Sequence, residues 1–338
     1  MTETKVIENK QIWEDFVLSS PDANFLHSWN WGILQQRLGK MIFRLGFFTN
    51  NKLKGVCLLV RQVAKRGVFL ECPGGPLINW TKPVYFEEFV RQAKKIGEQK
   101  GCLFVRVRPQ ILETLANRLL FKKMGFIPAP MHLHAEDTLQ LGLEKNEEQL
   151  LREMRKNTRY LVKKAAKEGV LIVQSKDVKD IDALYELQAE TVKRSHFVPF
   201  PKNFFKEEFA TFLKDDQIRI FKAVYQKKVL AVALIIFYGH EAVYHYSGSS
   251  SRFRKIPGSY LLQWEAILEA KRRGCKVYNF WGITPSGNLR HRFAGVTLFK
   301  KGFGGEEVSY LHAHDLPLKP NYWLVYIFET ARKFWRRL

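Results

Sequence analysis

A basic loop followed by a helix is the segment of this chain whose residue types most directly suggest chemistry. The stretch HYSGSSSRFRKIPGSYLLQWEAI (245–267) begins like the end of a strand and ends like an amphipathic helix, with PGS at the helix entrance. Arg254 and Lys255 precede that entrance, and Ser259 follows it. Backbone N–H groups at a helix N-terminus attract anions, and a guanidinium binds phosphate through two parallel hydrogen bonds. The loop therefore predicts an anion site with Arg254 as its main cation; the alternative is a set of solvated loop cations.

A second basic stretch, residues 151–168, predicts a helix with a positive face. It carries seven Lys or Arg residues against two Glu. Five of the cations share one helical side, which suits the phosphate backbone of a nucleic acid. The alternatives are a solvated helix face and, for Tyr160, a place in the buried stripe. The five cations are Arg152, Arg155, Lys156, Arg159 and Lys163.

Histidine and cysteine spacing argues against a metal centre. MHLHAED (131–137) and LHAHDL (311–316) each carry a His-x-His pair, which on a strand would point to one face. No further ligand set accompanies either pair, so we predict no metal site. The cysteines lie in or beside apolar runs without metal-type spacing, so we expect buried free thiols in a reducing compartment. They are Cys57, Cys72, Cys102 and Cys275.

Charge narrows the range of partners. The 338 residues include 55 Lys or Arg against 33 Asp or Glu, a net charge of +22. This excess favours a polyanionic partner: nucleic acid, an anionic membrane surface or phosphorylated substrates. The start MTETKVIENK has no apolar signal core, and VLAVALIIF (229–237) is too short to span a bilayer. We therefore expect a soluble or peripheral protein.

The elements that must position these residues are repeated within the chain. FFTNNKLKGVCLLV (47–60) and FKAVYQKKVLAVALIIF (221–237) each predict a strand, a tight turn and a strand. Two further pairs of segments follow in the same order and at nearly the same offset, which indicates two copies of one structural unit. These pairs are EQKGCLFVRVRP (98–109) with AKRRGCKVYNFWGI (270–283), and LLFKKMGF (119–126) with LFKKGFGG (298–305).

Each copy predicts one or more helices, a hairpin, a strand, a loop, a helix, a strand, a helix and a strand. This mixed order, with a phosphate-friendly turn before the central helix, looks like that of GNAT-type acyltransferases. We therefore predict an α/β fold of two tandem GNAT-like acyltransferase domains with mixed sheets. The first domain is placed at residues 1–146 plus 316–338, and the second at 147–315.

The C-terminal segment NYWLVYIFETARKFWRRL (321–338) lies outside the second repeat. Its amphipathic pattern predicts a helix that packs on the first domain, with Trp323, Val325, Tyr326 and Phe328 among its apolar contacts. Its last residues combine cations with aromatic side chains, which suits an anionic membrane surface. The cations are Arg332, Lys333, Arg336 and Arg337.

Five segments together make the chain resemble the FemABX family, the aminoacyltransferases that build peptidoglycan cross-bridges with amino acids from aminoacyl-tRNA. The resemblance covers nearly the whole chain and rests on the order and spacing of the segments. No coiled-coil arm is evident, so the chain looks like the shorter, arm-less type. The segments are FLHSWNWG (25–32), RKNTRYLVKKAAKEGV (155–170), YSGSSSRFRKIPGSYLLQWEAI (246–267), YNFWGI (278–283) and LFKKGFGGE (298–306).

The resemblance implies transfer of an amino acid from aminoacyl-tRNA to the amine of a peptidoglycan precursor. Because the ester is already activated, the enzyme needs to orient the amine and stabilise developing charge, with no covalent intermediate. It implies no cofactor besides the aminoacyl-tRNA co-substrate. The acceptor is a UDP-linked or lipid-linked muropeptide. The expected free thiols favour a place in the cytoplasm, and the basic C-terminal segment extends this to the inner face of the membrane. We expect a monomer.

Site residues follow from the same resemblance. Phe299 and Lys300 match a pair that lines the peptide and catalytic channel, where the ammonium would stabilise the oxyanion or the leaving ribose oxygen. Arg254 matches a contact to the substrate phosphate, so the loop 247–259 with Ser259 would hold the diphosphate of the muropeptide. Tyr278 would line the peptide channel, and a core tyrosine is the alternative. For Lys300 the alternative is a structural repeat element, because Lys122 and Lys123 occupy the equivalent places in the first copy.

Three positions depart from the family pattern. Gln35 stands four residues after Trp31, where many members have a substrate-contacting Lys, so this contact becomes neutral. Arg108 precedes Pro109 where a carboxylate is common, so a base supplied from that position is lacking. Asn279 replaces the Asp of the usual YDF.

Three other functions remain open from the sequence. An acyl-CoA-dependent GNAT enzyme is one, although RKIPGS and PGGP only approximate the acyl-CoA turn pattern. A non-catalytic protein that binds tRNA or a membrane would have no need of Lys300. A transferase acting on protein N-termini would use the same chemistry on another amine.

Overall fold

The C-terminal residues return to the unit in which the chain begins. The chain divides into two compact units, Met1–Glu136 with Ser309–Leu338 and Asp137–Val308. The boundaries predicted after residues 146 and 315 stay a prediction. The computed structural model describes residues 2–195, 200–253, 255–284 and 293–336.

The first unit opens with an alternation of helices and strands that follows local capping signals. The Ser28 side chain accepts the Trp31 N–H and so caps the second helix, and Pro83 occupies the first turn of the third. The elements are β1 (Glu3–Val6), α1 (Lys10–Ser19), α2 (Trp29–Arg37), β2 (Ile42–Thr49), β3 (Lys52–Ala64), β4 (Gly67–Pro73), β5 (Leu77–Ile78), α3 (Pro83–Gln99), β6 (Phe104–Arg108), α4 (Leu115–Lys123) and β7 (Ile127–Pro128).

The second unit repeats this order after one additional strand and two additional helices. Asn146 and Gln149 form a capping box that starts its first helix. The elements are β8 (Asp137–Gly142), α5 (Glu147–Glu153), α6 (Lys156–Lys167), β9 (Leu171–Ser175), α7 (Ile181–Ser195), α8 (Lys202–Leu213), β10 (Ile218–Tyr225), β11 (Lys228–Tyr238), β12 (Glu241–Ser249), α9 (Gly258–Arg272), β13 (Val277–Gly282), α10 (Ala294–Lys301) and β14 (Glu306–Ser309).

The predicted hairpins are present in both units. β2 and β3 join through Asn50 and Asn51, and β10 and β11 join through Gln226 and Lys227, all four with φ between 46° and 63°. Two consecutive left-handed residues form the turn whose twist matches that of the paired strands. The predicted α/β fold with tandem GNAT-like units and mixed sheets is confirmed.

Each sheet combines antiparallel hairpins with one parallel pair. Among the described residues the first sheet has the order β1-β2-β3-β4-β6-β15-β7, with β5 beside β3, where β15 is His314–Pro317. The second has the order β14-β8-β13-β12-β11-β10-β9. The parallel pairs β4/β6 and β12/β13 are connected through α3 and α9. β8 and β15 therefore take matching places, although one precedes its unit in sequence and the other follows it.

A buried ion network fixes the C-terminal helix α11 (Tyr322–Arg336) to the first sheet. The Arg106 guanidinium donates to both carboxylate oxygens of Asp315 at 2.7 and 2.8 Å and to Glu329 at 2.8 Å. The Tyr322 hydroxyl donates to Asp315 at 3.0 Å, and Arg66 lies 2.5 Å from Glu329. Each buried charge therefore has an opposite charge in contact, which is the condition for placing charges in a core.

The contacts of α11 differ in part from those predicted. Val325 is buried and Tyr326 partly buried on the first unit, but Trp323 and Phe328 are about half exposed. The cause is the helical period, which turns Trp323 and Phe328 away from the buried side set by Glu329. Arg337 lies outside the described residues.

The single helix predicted over 151–168 is wrong. α5 ends at Glu153, and Met154 and Arg155 adopt extended backbone angles before α6 begins at Lys156. This break buries Met154 in the core and lets the Arg155 N–H donate to the Gly302 carbonyl at 2.9 Å. A continuous helix would have forfeited both contacts.

The parallel strands β12 and β13 separate at their C-terminal ends. They pair only from Glu241↔Val277 to Val243↔Asn279, although both strands continue. Beyond that point β12 carries a bulge, since Tyr244 and Tyr246 pair with the adjacent β11 residues Ile235 and Leu234. A bulge bends a strand and adds twist, so it carries β12 away from β13 and opens the sheet.

Asn279 holds the point of separation. Its Nδ2 donates to Glu241 Oε1 at 2.7 Å, and its Oδ1 accepts the Trp281 N–H at 2.8 Å. Trp281 has φ +62°, an unusual conformation for a bulky residue. The bond from Trp281 to Asn279 stabilises that conformation. Asn suits this place because its side chain donates to one group and accepts from the other.

Exchanging Asn279 for Asp tests this bridge. Asn279→Asp replaces the donor with a carboxylate facing Glu241, so we expect a loss of about 1–3 kcal/mol in the free energy of unfolding near neutral pH. The loss should shrink as the pH falls and one carboxylate of the pair becomes protonated, because the neighbouring charge raises its pKa. Urea unfolding followed by circular dichroism measures it. Adding Glu241→Gln restores a donor and should recover most of the stability; a double variant no more stable than Asn279→Asp would contradict the bridge.

Candidate functional site

Lys300 lies at the open end of the separated strands. It stands in the last turn of α10, is 6% exposed, and donates from Nζ to the Gly282 carbonyl of β13 at 2.6 Å. On the other side Nζ lies 5.8 Å from the ring centre of Tyr244 on β12. Lys300 thus contacts both strands where they have stopped pairing.

Burial lowers the pKa of Lys300 to about 7. Burial is the cause of this shift, and no charged group of the described residues counters it. Burial also raises the pKa of the Tyr244 hydroxyl to about 12, so Tyr244 offers a neutral ring. Near neutral pH Lys300 is therefore present both as an ammonium, which can donate to an oxyanion, and as an amine, which can accept a proton.

Aromatic rings connect Lys300 with the start of α9. Phe299, partly buried, contacts Tyr260 edge to face with ring centres 4.9 Å apart, and contacts Phe303 at 5.3 Å. Tyr260 and Ser259 lie in the first turn of α9. The structure therefore brings Phe299, Lys300 and the helix start containing Ser259 into one region of the second unit.

The start of α9 packs tightly against the sheet. A Cβ on Gly258 would lie 3.0 Å from Leu230 and 3.2 Å from Ala223, so only glycine allows this approach without displacing a neighbour. Pro257 gives the helix no side-chain cap. The predicted main cation, Arg254, lies outside the described residues, so its role stays a prediction.

Tyr278 is fully buried within β13. Its hydroxyl accepts a hydrogen bond from Gln263 Nε2 at 2.7 Å, and its ring contacts Phe280. The structure places it among core residues of the second unit. Its predicted role in a peptide channel stays a prediction.

The segments RKNTR and LFKKGFGG, separate in sequence, meet in the second unit. Arg155 donates to the Leu298 carbonyl of α10 at 2.6 Å, so it caps the helix that carries Lys300. A Cβ on Gly302 would lie 2.3 Å from Thr158 Oγ1, so glycine is required at this contact. Arg155 thus has a structural partner that the sequence did not indicate.

The predicted nucleic-acid cations fall into two groups. Arg159 donates to the Arg152 carbonyl at 2.9 Å and so satisfies the end of α5, while the exposed Arg152 side chain pairs with Glu148 at 3.2 Å. Lys156 and Lys163 are exposed on α6. Lys167 and Tyr160 are exposed on the same helix face, so the alternative that placed Tyr160 in the buried stripe is wrong.

A second polar cluster lies in the first unit around Gln35. Gln35 is buried on α2 and accepts a hydrogen bond from Lys40 Nζ at 2.8 Å. Glu71 lies 2.9 Å from His134 Nε2 and also accepts from Gln62. Burial raises the pKa of Glu71, but the bond from His134 and the charge of Lys40 lower it by more, so it stays below its ordinary value. Gln35 replaces the lysine of many family members, but Lys40, in the loop five residues later, places an ammonium beside it.

The histidine of the first motif, FLHSWNWG, is buried and bonds to backbone groups of two strands. His27 Nδ1 lies 2.8 Å from the Pro73 carbonyl, and Nε2 accepts the Leu58 N–H at 2.9 Å. These partners select one neutral tautomer. Burial lowers the pKa of His27 to about 4, so the ring stays neutral and ties the turn before α2 to β3 and β4.

Arg108 is buried where the sequence noted a missing carboxylate. It donates to Gln110 and to the Ala135 carbonyl, and its guanidinium lies 4.9 Å from the Tyr310 ring centre. These contacts place Arg108 in the core of the first unit. β6, which ends at Arg108, contains no Asp or Glu that could supply the missing carboxylate.

One histidine from each His-x-His pair meets Glu136 in the first unit. Among the described residues, His132, Glu136 and His312 form a group whose potential ligand atoms lie within 4.8 Å of one another. His312 faces Glu136 through Nδ1 and the Ala129 carbonyl through Nε2, both at 2.7 Å. Burial opposes the charge, but these bonds raise the pKa of His312, as expected of an imidazolium between two acceptors. The prediction of no metal stays a prediction.

One titratable pair of the second unit was not indicated by sequence. His245 Nδ1 lies 3.1 Å from Glu208, and both side chains are buried. The His245 ring contacts Trp281 edge to face at 5.5 Å, at the level where the strands separate. The pairing joins α8 to the bulge in β12, which no spacing in the sequence revealed.

Comparison with known proteins assigns the family. The FemAB family profile matches residues 9–120, 129–223 and 216–330. The aminoacyltransferase FemA of Staphylococcus epidermidis is 34% identical over 105 residues, 31% of this chain and 24% of the relative, so the match spans about a quarter of that protein. A FemX crystal structure superimposes with a TM-score of 0.84 at 18% identity, covering 97% of this chain and 100% of that one.

A tandem GNAT protein from the clavulanic acid pathway superimposes with a TM-score of 0.59 at 10% identity, covering 95% of this chain and 99% of its own. This likeness concerns the fold alone. The family match extends over most of the sequence, and it includes all five motif segments. The chain therefore belongs to the FemAB family.

Proposed function

We propose that this chain is an aminoacyltransferase that transfers an amino acid from aminoacyl-tRNA to the amine of a peptidoglycan-precursor stem peptide. The observation that carries the proposal is Lys300, a buried cation at the opening between β12 and β13 in a member of the FemAB family. The FemA relative, named as an aminoacyltransferase, supports the reaction class. The donor, the acceptor and a place in the cytoplasm are parts of the proposal.

The proposed chemistry needs a cation where charge develops. Attack of the amine on the ester carbonyl forms a tetrahedral oxyanion, and its collapse breaks the bond to the ribose oxygen. The proton that the amine loses passes to that oxygen, which leaves as a hydroxyl. The Lys300 ammonium stabilises either oxygen. Because burial keeps water away from the ammonium, that electrostatic interaction is stronger than it would be in solvent. Phe299 packs beside it and orients the reacting groups. No cofactor is required, because the ester supplies the activation.

The proposed acceptor site uses the loop before α9. Arg254 and the uncapped N–H groups near Ser259 would hold the diphosphate of a nucleotide- or lipid-linked muropeptide. Ring contacts link this helix start to Phe299, which supports placing the phosphates and the reacting centre in one unit. Gln35 and Tyr278 stay candidates for further substrate contacts, and Lys40, which donates to Gln35, joins them.

The proposed donor surface is the exposed face of α6. Lys156, Lys163 and Lys167 line it at helical spacing with Tyr160 between them, a pattern that fits phosphates and an unpaired base. Arg155 and Arg159 also donate to backbone carbonyls, so they hold the helices that present this face. Arg152 stays a candidate at its edge.

Lys300→Met tests the catalytic part. We expect a single-turnover rate lowered about tenfold or more with donor and acceptor affinities unchanged, because the ammonium acts on transition-state charge. The ratio of wild-type to variant rates should be largest below about pH 7 and should fall as the pH rises, since Lys300 loses its proton around that pKa. Lys301→Met, at the neighbouring exposed lysine, is the matched control.

The product is identified by mass spectrometry after incubation with mixed aminoacyl-tRNA and a muropeptide precursor. An unchanged rate in Lys300→Met would return Lys300 to a structural role. Acyl transfer from acyl-CoA, with tight CoA binding and no product from aminoacyl-tRNA, would replace the proposal with the acyl-CoA alternative.

Neutralising the α6 face tests the donor surface. We expect weaker binding of aminoacyl-tRNA when Lys156, Lys163 and Lys167 are changed to Ala. The slope of log K against log salt concentration should become shallower by about 0.7–0.9 for each lysine that contacts a phosphate. Fluorescence anisotropy over a salt series measures both. Lys94→Ala with Lys95→Ala on α3 removes exposed charge elsewhere as the control. Equal losses per lysine removed in the two variants would mean that only overall charge matters.

A further inference from the structure

The outward face of α11 is apolar along its whole length. Tyr322, Val325 and Glu329 set its buried side, and the ion pairs of Glu329 prevent the helix from rolling. The opposite side exposes large apolar residues, each between 51% and 83% accessible. They are Trp323, Leu324, Ile327, Phe328, Phe334 and Trp335.

These six side chains form one continuous surface. At 100° per residue they fall within an arc of about 140°, and Ala331 is the other residue within it. Together they expose on the order of 700 Å² of apolar surface, at or above the largest patch found on a typical soluble monomer. A surface of this size and composition indicates a contact that the chain does not satisfy by itself.

Cations border one edge of this surface. A groove of about 690 Å³ runs beside α11, with Leu324 and Phe328 on the apolar side. Lys65 and Arg66, from the turn between β3 and β4, and Arg332 of α11 line it as well. No carboxylate is among the groove-lining residues of the described chain. The ion pair between Arg66 and Glu329 holds the basic edge in a fixed place beside the apolar face.

We propose that α11 is a peripheral membrane-binding element: its apolar face enters the interfacial layer of a bilayer, and the basic groove edge binds anionic lipid headgroups. No helix of the described residues is both long and apolar enough to cross a membrane. In the proposed bound state α11 lies parallel to the bilayer, with its apolar face towards the acyl chains. Tryptophan and phenylalanine partition into the headgroup region, and each nearby cation adds attraction to an anionic leaflet.

Charge complementarity favours an anionic membrane over a second copy of the chain. Two copies meeting through α11 would bring their basic edges together, in chains that each carry a net charge of +22. An anionic bilayer satisfies both parts of the surface at once. This inference does not depend on which group the protein transfers.

Vesicle co-sedimentation of the full chain tests the proposal. At low salt we expect binding to phosphatidylglycerol-containing vesicles at least tenfold tighter than to phosphatidylcholine vesicles. Ile327→Ser with Phe334→Ser should weaken binding tenfold or more, since both side chains lie on the face and neither belongs to the ion network. Lys65→Glu should reduce the preference for anionic vesicles. The controls are Leu115→Ser with Leu119→Ser, two exposed leucines of α4, and Lys94→Glu.

Tryptophan quenching by brominated acyl chains gives the depth of insertion. Quenching should occur with the wild type and fall strongly in Trp323→Phe with Trp335→Phe, while circular dichroism shows an unchanged fold. Absence of binding to anionic vesicles at low salt would overturn the proposal, as would equal losses in the α4 control. The face would instead belong to a contact with a second copy if the wild type did not bind vesicles but sedimented as a dimer. In that case Ile327→Ser with Phe334→Ser would convert the dimer to a monomer in sedimentation velocity.

Discussion

The second unit depends on one interruption in an otherwise continuous sheet. β12 and β13 pair over three residues and then separate, because the bulge at His245 bends β12 and Asn279 ties β13 into a sharp turn at Trp281. Past the last paired residue, the Gly282 carbonyl accepts a hydrogen bond from Lys300, and the Trp281 N–H donates to Asn279. Side chains therefore satisfy backbone groups of β13 at the opening.

Burial of Lys300 gives that opening its chemical character. A lysine on the surface stays protonated far above neutral pH, whereas the environment beside Tyr244 and Gly282 brings the pKa to about 7. The tight approach at Gly302 and the cap supplied by Arg155 fix the helix that carries it. Arg155 and Gly302, which are far apart in sequence, thus fix the position of the Lys300 side chain by fixing the helix that carries it.

The first unit uses charge for a different purpose. Its strands β4 and β6 stay paired as far as Pro73↔Arg108, and Arg108 is used for contacts inside the core. The ion network around Arg106 joins β6, β15 and α11, which makes the C-terminal helix part of this unit. Two copies of one fold have therefore diverged: one keeps an opening with a buried lysine, and the other keeps a closed parallel pair and a docked helix.

The sequence by itself determined the repeated α/β order, the two hairpins and the family, because these follow from local periodicity, turn residues and motif order. It also indicated Phe299, Lys300 and the start of α9. It could not show that the basic segment breaks at Met154, since tertiary burial and a bond to Gly302 decide the break. The pairing of His245 with Glu208, the contact between Arg155 and α10, and the outward apolar face of α11 were likewise decided only by tertiary structure. Each depends on which distant backbone groups and side chains come within a few ångströms, and spacing along a chain carries no record of that distance.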